Sequence, residues 1–284
     1  MKCIVCESPV RQGLKPWHAQ CVSCHYESAA LQVSINEAGA HAAIDEEARE
    51  ASLKMLRMEN FREIVAHARA HAAPGARRLL DVGSAHGWFL EAAAPHFDVL
   101  GIEPDAAVGN KAAARGLPVR PGYFPDALAP DETFDVIVFN DVIEHIPDIR
   151  SAIAACHARL NPDGILILNL PNSRGFFYRL SKWLTRAGLP GPFERMWQKS
   201  LPSPHLHYFD PANLTSLLKS SGFLHVHSAE LAALRADGLK ERLAYVGKQN
   251  PLKVQAQYVA IRGLIPLLGM FPSDIIVGIY RRPG

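Results

Sequence analysis

The chain has 284 residues, 48% of them hydrophobic and 20% charged, with a formal net charge of +2. That supports one large core plus a small appendage. No apolar run reaches membrane-spanning length, because Arg262 and Pro266 interrupt the longest candidate, Val259 to Phe271. The N-terminus lacks the apolar core of a signal peptide, so a cytoplasmic chain is expected. No internal repeat or low-complexity tract is visible. The charge is unevenly spread: residues 174–284 hold fifteen Lys/Arg against six Asp/Glu, and residues 1–173 hold fifteen against twenty-two. The uneven spread reads either as ordinary surface decoration or as a positive rim for an anionic acceptor or anionic lipid.

Four of the five cysteines fall in the first 24 positions, as Cys3-x-x-Cys6 and Cys21-x-x-Cys24 with fourteen residues between the pairs. Each C-x-x-C turns two thiolates toward one metal, and two such knuckles complete a tetrahedral site. Two disulfides are the alternative, which a reducing cytosol disfavours. Residues 1–28 are therefore read as a zinc ribbon whose metal supplies the folding energy that so short a segment cannot draw from a core. Four thiolates leave no open position, so the zinc is structural, and His18 and His25 are read as bystanders. Lys2, Arg11 and Lys15 against Glu7 and Glu27 are too few for a phosphate-binding surface, so nucleic acid is not the expected partner. Residues 29–75 follow as a helical linker. Glu46 to Ala73 reads as helix, with Leu53, Leu56, Phe61, Ile64 and Val65 near helical spacing, and Pro74-Gly75 stops it.

Leu79 to Val82 then reads as a buried strand running into the turn Gly83-Ser84-Ala85-His86-Gly87 and a helix opened by Trp88. Asp98 to Ile102 is a second strand, ending at Glu103, twenty residues after Gly83. This is the layout of a nucleoside-cofactor site in a doubly wound sheet: glycines let the backbone approach the ligand, and the acid grips the ribose hydroxyls. A dinucleotide fingerprint needs three glycines as G-x-G-x-x-G, whereas Asp81-x-Gly83-x-Ala85-x-Gly87 reads D-x-G-x-A-x-G. Alone, two glycines serve a helix-opening turn just as well.

The strand Phe134 to Asn140 is followed by Asp141-Val142-Ile143-Glu144-His145 and a short helix. After a helical stretch holding Cys156, read as a buried small apolar residue, Pro162-Asp163-Gly164 turns into the strand Ile165 to Leu170. Taken in order, these four segments over residues 79–171 resemble motifs of class I S-adenosylmethionine-dependent methyltransferases. They match D-x-G-x-G-x-G (with Ala85 for the middle glycine), the acid ending strand two, FDxVxxxxVxEH and LxPGGxLxxxxP. The resemblance implies a Rossmann-like seven-stranded α/β sheet with helices on both faces, over residues 76–284. Insertions fall at about 172–204 and 231–272.

The resemblance also implies roles. Asp81, Gly83, Ser84, Ala85 and Gly87 would surround the methionine moiety of S-adenosylmethionine, Glu103 the ribose, and Pro104 the adenine. Gly122, Tyr123 and Phe124 would close over the adenine, Asn140 would stand beside the sulfonium, and Trp88 would face it or pack as core. In related enzymes the N-terminal helix caps the active site. His145 is the candidate general base, with a helix-capping or core histidine as the bland reading. A helix through 141–145 would bring Asp141, Glu144 and His145 to one face, where a divalent ion could lower the acceptor's pKa. A similar E-x-x-E-H arrangement, completed by a distant histidine, occurs in ubiquinone-pathway and small-RNA O-methyltransferases. Here Asp141 replaces the first acid, and His205 or His207 is the candidate distant ligand.

Residues 172–204 are dense in aromatics and arginine and read as an acceptor-site lid. Strand six, Phe223 to Ser228, and an antiparallel strand seven, Asp274 to Tyr280, close the sheet. Residues 231–272, with basic and apolar residues interleaved, read as an acceptor wall, a dimer contact or a peripheral membrane segment. The expected activity is O-methylation of a small-molecule or glycan acceptor, lipid-linked or anionic. The alternatives are a ribosomal-RNA methyltransferase, disfavoured because Asn-Pro-Pro-Tyr is absent after strand four, and a non-catalytic cofactor-binding scaffold.

Overall fold

A computed structural model describes residues 1–33, 46–234 and 251–284. The parts of the predicted linker at 34–45 and of the predicted insertion at 235–250 lie outside the described residues. The main sheet has seven strands: β4 (Arg78–Val82), β5 (Asp98–Glu103), β6 (Val119–Pro121), β7 (Phe134–Asn140), β8 (Leu160–Pro171), β10 (Leu224–Leu231) and β11 (Ile275–Arg281). Their order is β10-β11-β8-β7-β4-β5-β6. The strands from β8 to β6 are parallel, while β11 runs antiparallel to both β8 and β10. This is the predicted doubly wound α/β sheet, with its antiparallel closing strand.

Alternation along the strands produces the two layers, because successive side chains point to opposite faces. Leu80, Ile137, Phe139, Leu166 and Leu168 point to one face, where they meet α4 (Ile149–Arg159) and α7 (Pro211–Ser220). Leu79, Val136, Val138, Ile165 and Ile167 point to the other, against α1 (Glu46–His71) and α2 (Trp88–Ala93). Cys156 is fully buried on α4, as a small apolar residue would be. Asp163 carries the predicted turn at φ 61°, inside the span of β8. The other helices of the domain's first half and lid are α3 (Ala106–Ala114) and α5 (Phe176–Arg186), followed by the short α6 (Gly191–Met196).

A second sheet has the order β1-β2-β3-β9, formed from β1 (Val10–Gln12), β2 (His18–Cys21), β3 (Glu27–Ala29) and β9 (His207–Tyr208). Its last strand comes from the methyltransferase-like part of the chain, so the N-terminal module continues into the main body rather than hanging from it. Cys3, Val5, Cys21 and Tyr26 belong to the same apolar cluster as α4 and α7. Glu27, 2% exposed, sits at the junction. It accepts from His18 Nε2 (2.7 Å), Tyr178 Oη (2.8 Å) and Lys182 Nζ (2.6 Å). Burial pushes its carboxyl up, but His18 and Lys182 outweigh that and hold it below its ordinary value.

The aromatic density of 172–204 has a different cause from the predicted lid. Tyr178, Phe193 and Trp197 are fully buried with Tyr208, and Leu14 and Trp17 of the N-terminal module pack on them. These rings hold the module to the body. Only the end of the segment reaches the candidate site.

Candidate active site

A cavity of about 300 Å3 opens at the carboxyl ends of β4, β5 and β7, where a doubly wound sheet binds its ligand. Asp81, Gly83, Ser84, Ala85, Trp88, Glu103, Pro104, Asn140, Asp141 and His145 line it, together with groups from two other segments. Gly83 (φ 74°) turns the chain where a Cβ would meet Val142 Cγ2 at 2.6 Å, so only glycine fits. Gly87, at φ 73°, stands behind the wall, and its missing Cβ lets Leu117 close in. Ala85 takes φ 43° without the freedom of glycine.

The carboxylates are set by burial. Glu103 Oε2 accepts from Ala85 N (2.7 Å) and Oε1 from Asp105 N (2.8 Å), so the acid at the end of β5 also braces the turn after β4. Asp81 is 1% exposed and accepts from Asn140 Nδ2 at 3.1 Å. Burial, then the charge of Glu103, pushes its pKa up to about 8 against the pull of that bond. A buried, half-satisfied carboxyl of this kind suits a cationic ligand. Ser84 Oγ, Asn140 Oδ1 and Trp88 Nε1 are also buried without a hydrogen-bond partner, as expected of walls that a polar ligand completes. Trp88 stacks on His86 at 4.9 Å and lies under Lys54 Nζ at 5.8 Å.

Gly122, Tyr123 and Phe124, which the resemblance assigns to the adenine, are not among the residues that line the cavity. The chain after β6 turns toward β7, where Phe124 meets Phe139 edge-on at 5.8 Å, and Tyr123 is 50% exposed. Sequence reasoning missed Arg57 as a wall residue, Phe61 as more than core, and Gln198, Leu201, Pro202 and Ser203. The helical spacing of α1 carried a signal for Phe61. The four at 198–203 have no motif, because their place is set by how the lid packs on the N-terminal module.

The Asp141-Glu144-His145 helical face does not form. Asp141 takes φ 54° and donates its N–H to Asn169 O (2.9 Å), and the helical turn begins only at Ile143. Asp141 turns to Arg57 instead (3.8 Å). In its place His205 joins Glu144 and His145, each histidine Nε2 lying 3.9 Å from Glu144 Oε1. His207 does not: it accepts from Tyr26 Oη and donates from Nε2 to Ile146 O (2.9 Å). Glu144 is fully buried, and neither carboxylate oxygen has a hydrogen-bond partner. Burial and then Asp141 push its carboxyl well above the ordinary range. Burial holds His145 below its ordinary value and, with the neighbouring His145, takes His205 down to about 3. His145 Nδ1 donates to Pro204 O (2.9 Å), which leaves the lone pair at Nε2. One carboxylate and two neutral imidazoles are a chemically reasonable cation site.

The N-terminal module positions this cluster. Ala29 N donates to Leu206 O (2.9 Å) and Leu206 N donates to Glu144 O (2.8 Å), so hydrogen bonds run from the ribbon sheet to the site. In the module, Sγ of Cys3 and Cys24 lie 3.6 Å apart and those of Cys6 and Cys21 3.5 Å. All four ligand atoms fall within 4.8 Å, close to the spacing of a tetrahedral zinc site. Hydrogen bonds from Ser8 bring the Cys6 thiol down to about 6, toward the ligating thiolate. His18 is committed to Glu27 and to Leu14 N, which keeps it out of the cluster.

A family model described as "Methyltransferase domain" matches residues 50–228. The chain is 40% identical over 97 residues to a ubiquinone biosynthesis O-methyltransferase of Paramagnetospirillum magneticum, covering 31% of this chain and 38% of that protein. It is 29% identical over 200 residues to a probable S-adenosylmethionine-dependent methyltransferase of Mycolicibacterium smegmatis, covering 66% and 71%. The chain thus spans well under two thirds of the first of these relatives. Among solved structures, it shares its fold with a possible histamine N-methyltransferase of Thermotoga maritima. That match has a TM-score of 0.54 at 16% identity, over 86% of this chain and 97% of the other. A SAM-dependent methyltransferase of Archaeoglobus fulgidus gives a TM-score of 0.51 at 17% identity, over 81% and 97%. With the family model covering more than half of the chain and both solved relatives sharing its sheet, this chain belongs to the class I S-adenosylmethionine-dependent methyltransferase family.

Proposed function

We propose that the chain transfers a methyl group from S-adenosylmethionine to a hydroxyl of a small-molecule or glycan acceptor. One observation carries this reading: Asp81, Gly83, Ser84, Ala85, Glu103, Pro104 and Asn140, all assigned to the donor, line a single cavity with a neutral histidine, His145. S-adenosylmethionine, when bound, supplies an electrophilic methyl on a sulfonium. Asp81 and Glu103 hold its charged and ribose ends, and Phe61, Leu201 and Pro202 exclude water. In-line displacement needs chiefly alignment, and an alcohol acceptor also needs its proton removed. His145 Nε2 takes that proton. The four-cysteine ribbon (1–28) is assigned a structural zinc, α1 the cap, and 76–284 the transferase domain, in the cytoplasm.

The test is calorimetric titration of S-adenosylmethionine, followed by labelled-methyl transfer to sugars and polyprenyl glycans. His145→Gln is expected to slow transfer by roughly 10²–10⁴-fold while leaving cofactor affinity within about threefold. Unchanged turnover removes His145 from the chemistry. Failure of the folded, zinc-loaded protein to bind the cofactor overturns the whole reading.

Glu144 favours a second version of the same reaction. Its buried, unpartnered carboxylate is neutralised if a divalent ion is held by Glu144, His145 and His205, which would make the acceptor hydroxyl more acidic. His145 is then a ligand rather than the base. Metal-dependent turnover, lost in His205→Ala, selects this version; turnover unaffected by chelation at intact ribbon zinc selects the first.

Helix α5 favours an anionic or lipid-linked acceptor and a peripheral membrane contact. Arg179 and Arg186 on α5 have no ion-pair partner among the described residues, and Trp183 is 62% exposed beside them. With Phe271 they line a second cavity of about 750 Å3. No helix among the described residues is long and apolar enough to cross a membrane.

A further inference from the structure

On the face of the sheet opposite the ribbon, three histidines from two elements converge. His67 and His71 lie one turn apart on α1, and His227 projects from edge strand β10. Spacing of i and i+4 puts the first two on one side of the helix. The His67 and His227 ring centroids are 5.1 Å apart, those of His71 and His227 4.9 Å, and those of His67 and His71 6.2 Å. One ring nitrogen from each lies within 4.8 Å of the others. All three residues are half-buried, and their ring nitrogens make no hydrogen bond among the described residues.

Stacking leaves every ring nitrogen of the three imidazoles short of a protein partner among the described residues, and none is sealed off, so all stay open to a ligand. A metal ion answers that deficit. Tetrahedral zinc with Zn–N of about 2.0–2.1 Å needs nitrogens roughly 3.4 Å apart, so the rings must close by a little over 1 Å, within reach of side-chain rotation. The surrounding charges are mixed. Glu63, one turn before His67, favours a cation, whereas Arg281, whose Nη2 donates to His71 O (2.9 Å), opposes one. Burial and His227 hold His67 and His71 below their ordinary value, which keeps both in the neutral form that ligates.

We propose that His67, His71 and His227 form a three-histidine site for a first-row divalent ion of the zinc type, clasping α1 to the edge of the sheet. Three imidazoles leave a fourth position for water, and nitrogen ligands favour zinc, nickel or copper over magnesium or calcium. The clasp has a mechanical consequence. Phe61 and Arg57, six and ten residues before His67, line the candidate active site from the same helix. A clasp at its C-terminal end fixes the helix at roughly 9 and 15 Å from those two wall residues.

The test is calorimetric titration of ZnCl2 into the full chain already carrying its one ribbon zinc, with metal content measured on the same samples. The expected result is one further equivalent in the wild type and in His205→Ala, and none in His71→Ala or His227→Ala. Losing a direct ligand should weaken binding by more than the roughly 10–100-fold typical of groups that merely support one. The added zinc should also raise the Tm of the wild type and not that of His227→Ala. If His227→Ala alters the circular dichroism, His67→Gln, on the half-buried side of α1, carries the same comparison. No further equivalent in the wild type overturns the proposal. So does an equivalent that survives His71→Ala and His227→Ala, or one that disappears with His205→Ala and so belongs to the Glu144 cluster.

Discussion

Asp81 offers the sharpest quantitative handle on the donor site. Its carboxyl is buried at the end of β4 with a single hydrogen bond, from Asn140, and its pKa stands at about 8. At pH 7 about nine in ten unliganded molecules then carry a proton there. A cationic group entering the cavity favours the carboxylate and lowers that pKa. If the pKa falls by two units, binding at pH 7 should release about 0.8 proton, and affinity should rise about fivefold per pH unit between pH 6 and pH 8, flattening below and above that range. Above that, the ligand's own α-amino group loses its proton at about 7.7–8.0, so affinity should peak near pH 8. A shift of two units is worth about 2.7 kcal/mol, so Asp81→Asn should weaken binding on the order of 100-fold at pH 8 and far less at pH 6. Calorimetry in buffers of different ionisation enthalpy counts the protons. S-adenosylhomocysteine, which keeps the ammonium but not the sulfonium, shows which cation is responsible. The reasoning fails if wild type releases no proton at pH 7, or if Asp81→Asn releases as many. The same shift has a sign in stability: the folded chain holds a proton that the unfolded chain has lost, so the unliganded protein should lose stability as pH rises from about 4 to about 8, and Asp81→Asn should flatten that slope.

Three further outcomes follow from the geometry. Ala85→Gly should stabilise the protein by several tenths to about 1 kcal/mol in urea denaturation, because φ 43° strains alanine; a loss of stability would show that the methyl packs usefully. Glu27→Gln should cost about 3–5 kcal/mol by leaving Lys182 buried without its carboxylate. Because the Glu27 carboxyl is held below its ordinary value, its contribution is present above the unfolded-state pKa and should fade as pH falls through the folded one; a flat acid limb in wild type would contradict this. On the proposed assignment of zinc to the four cysteines, stripping the metal should unpair β3 from β9 and release His205 from Glu144, read as zinc loss together with a change in Trp17 and Trp197 fluorescence. Unchanged fluorescence after complete zinc loss would show that the module holds its place without metal.

Local order along the chain was legible because it depends on local causes. The strand and turn from Leu79 to Gly87, the acid at Glu103, the strand ending at Asn140 and the two C-x-x-C pairs each follow from residue types at fixed spacing: period-two burial, positive φ, and paired thiols. Aromatic density in 172–204 was visible too, but its meaning was not. Only packing shows that Tyr178, Phe193 and Trp197 grip Trp17 rather than line an acceptor site.

The sequence by itself determined the sheet, the glycine turn after β4 and the four-cysteine module, since each is written in neighbouring residues. Tertiary structure alone decided the partners of Glu144. A positive φ at Asp141 breaks the helical face that spacing predicted, and strand β9, pinned by a ribbon strand from the far end of the chain, brings in His205. The same holds for His227 beside His67 and His71. Contacts between distant segments depend on how whole layers stack, and no local pattern encodes that.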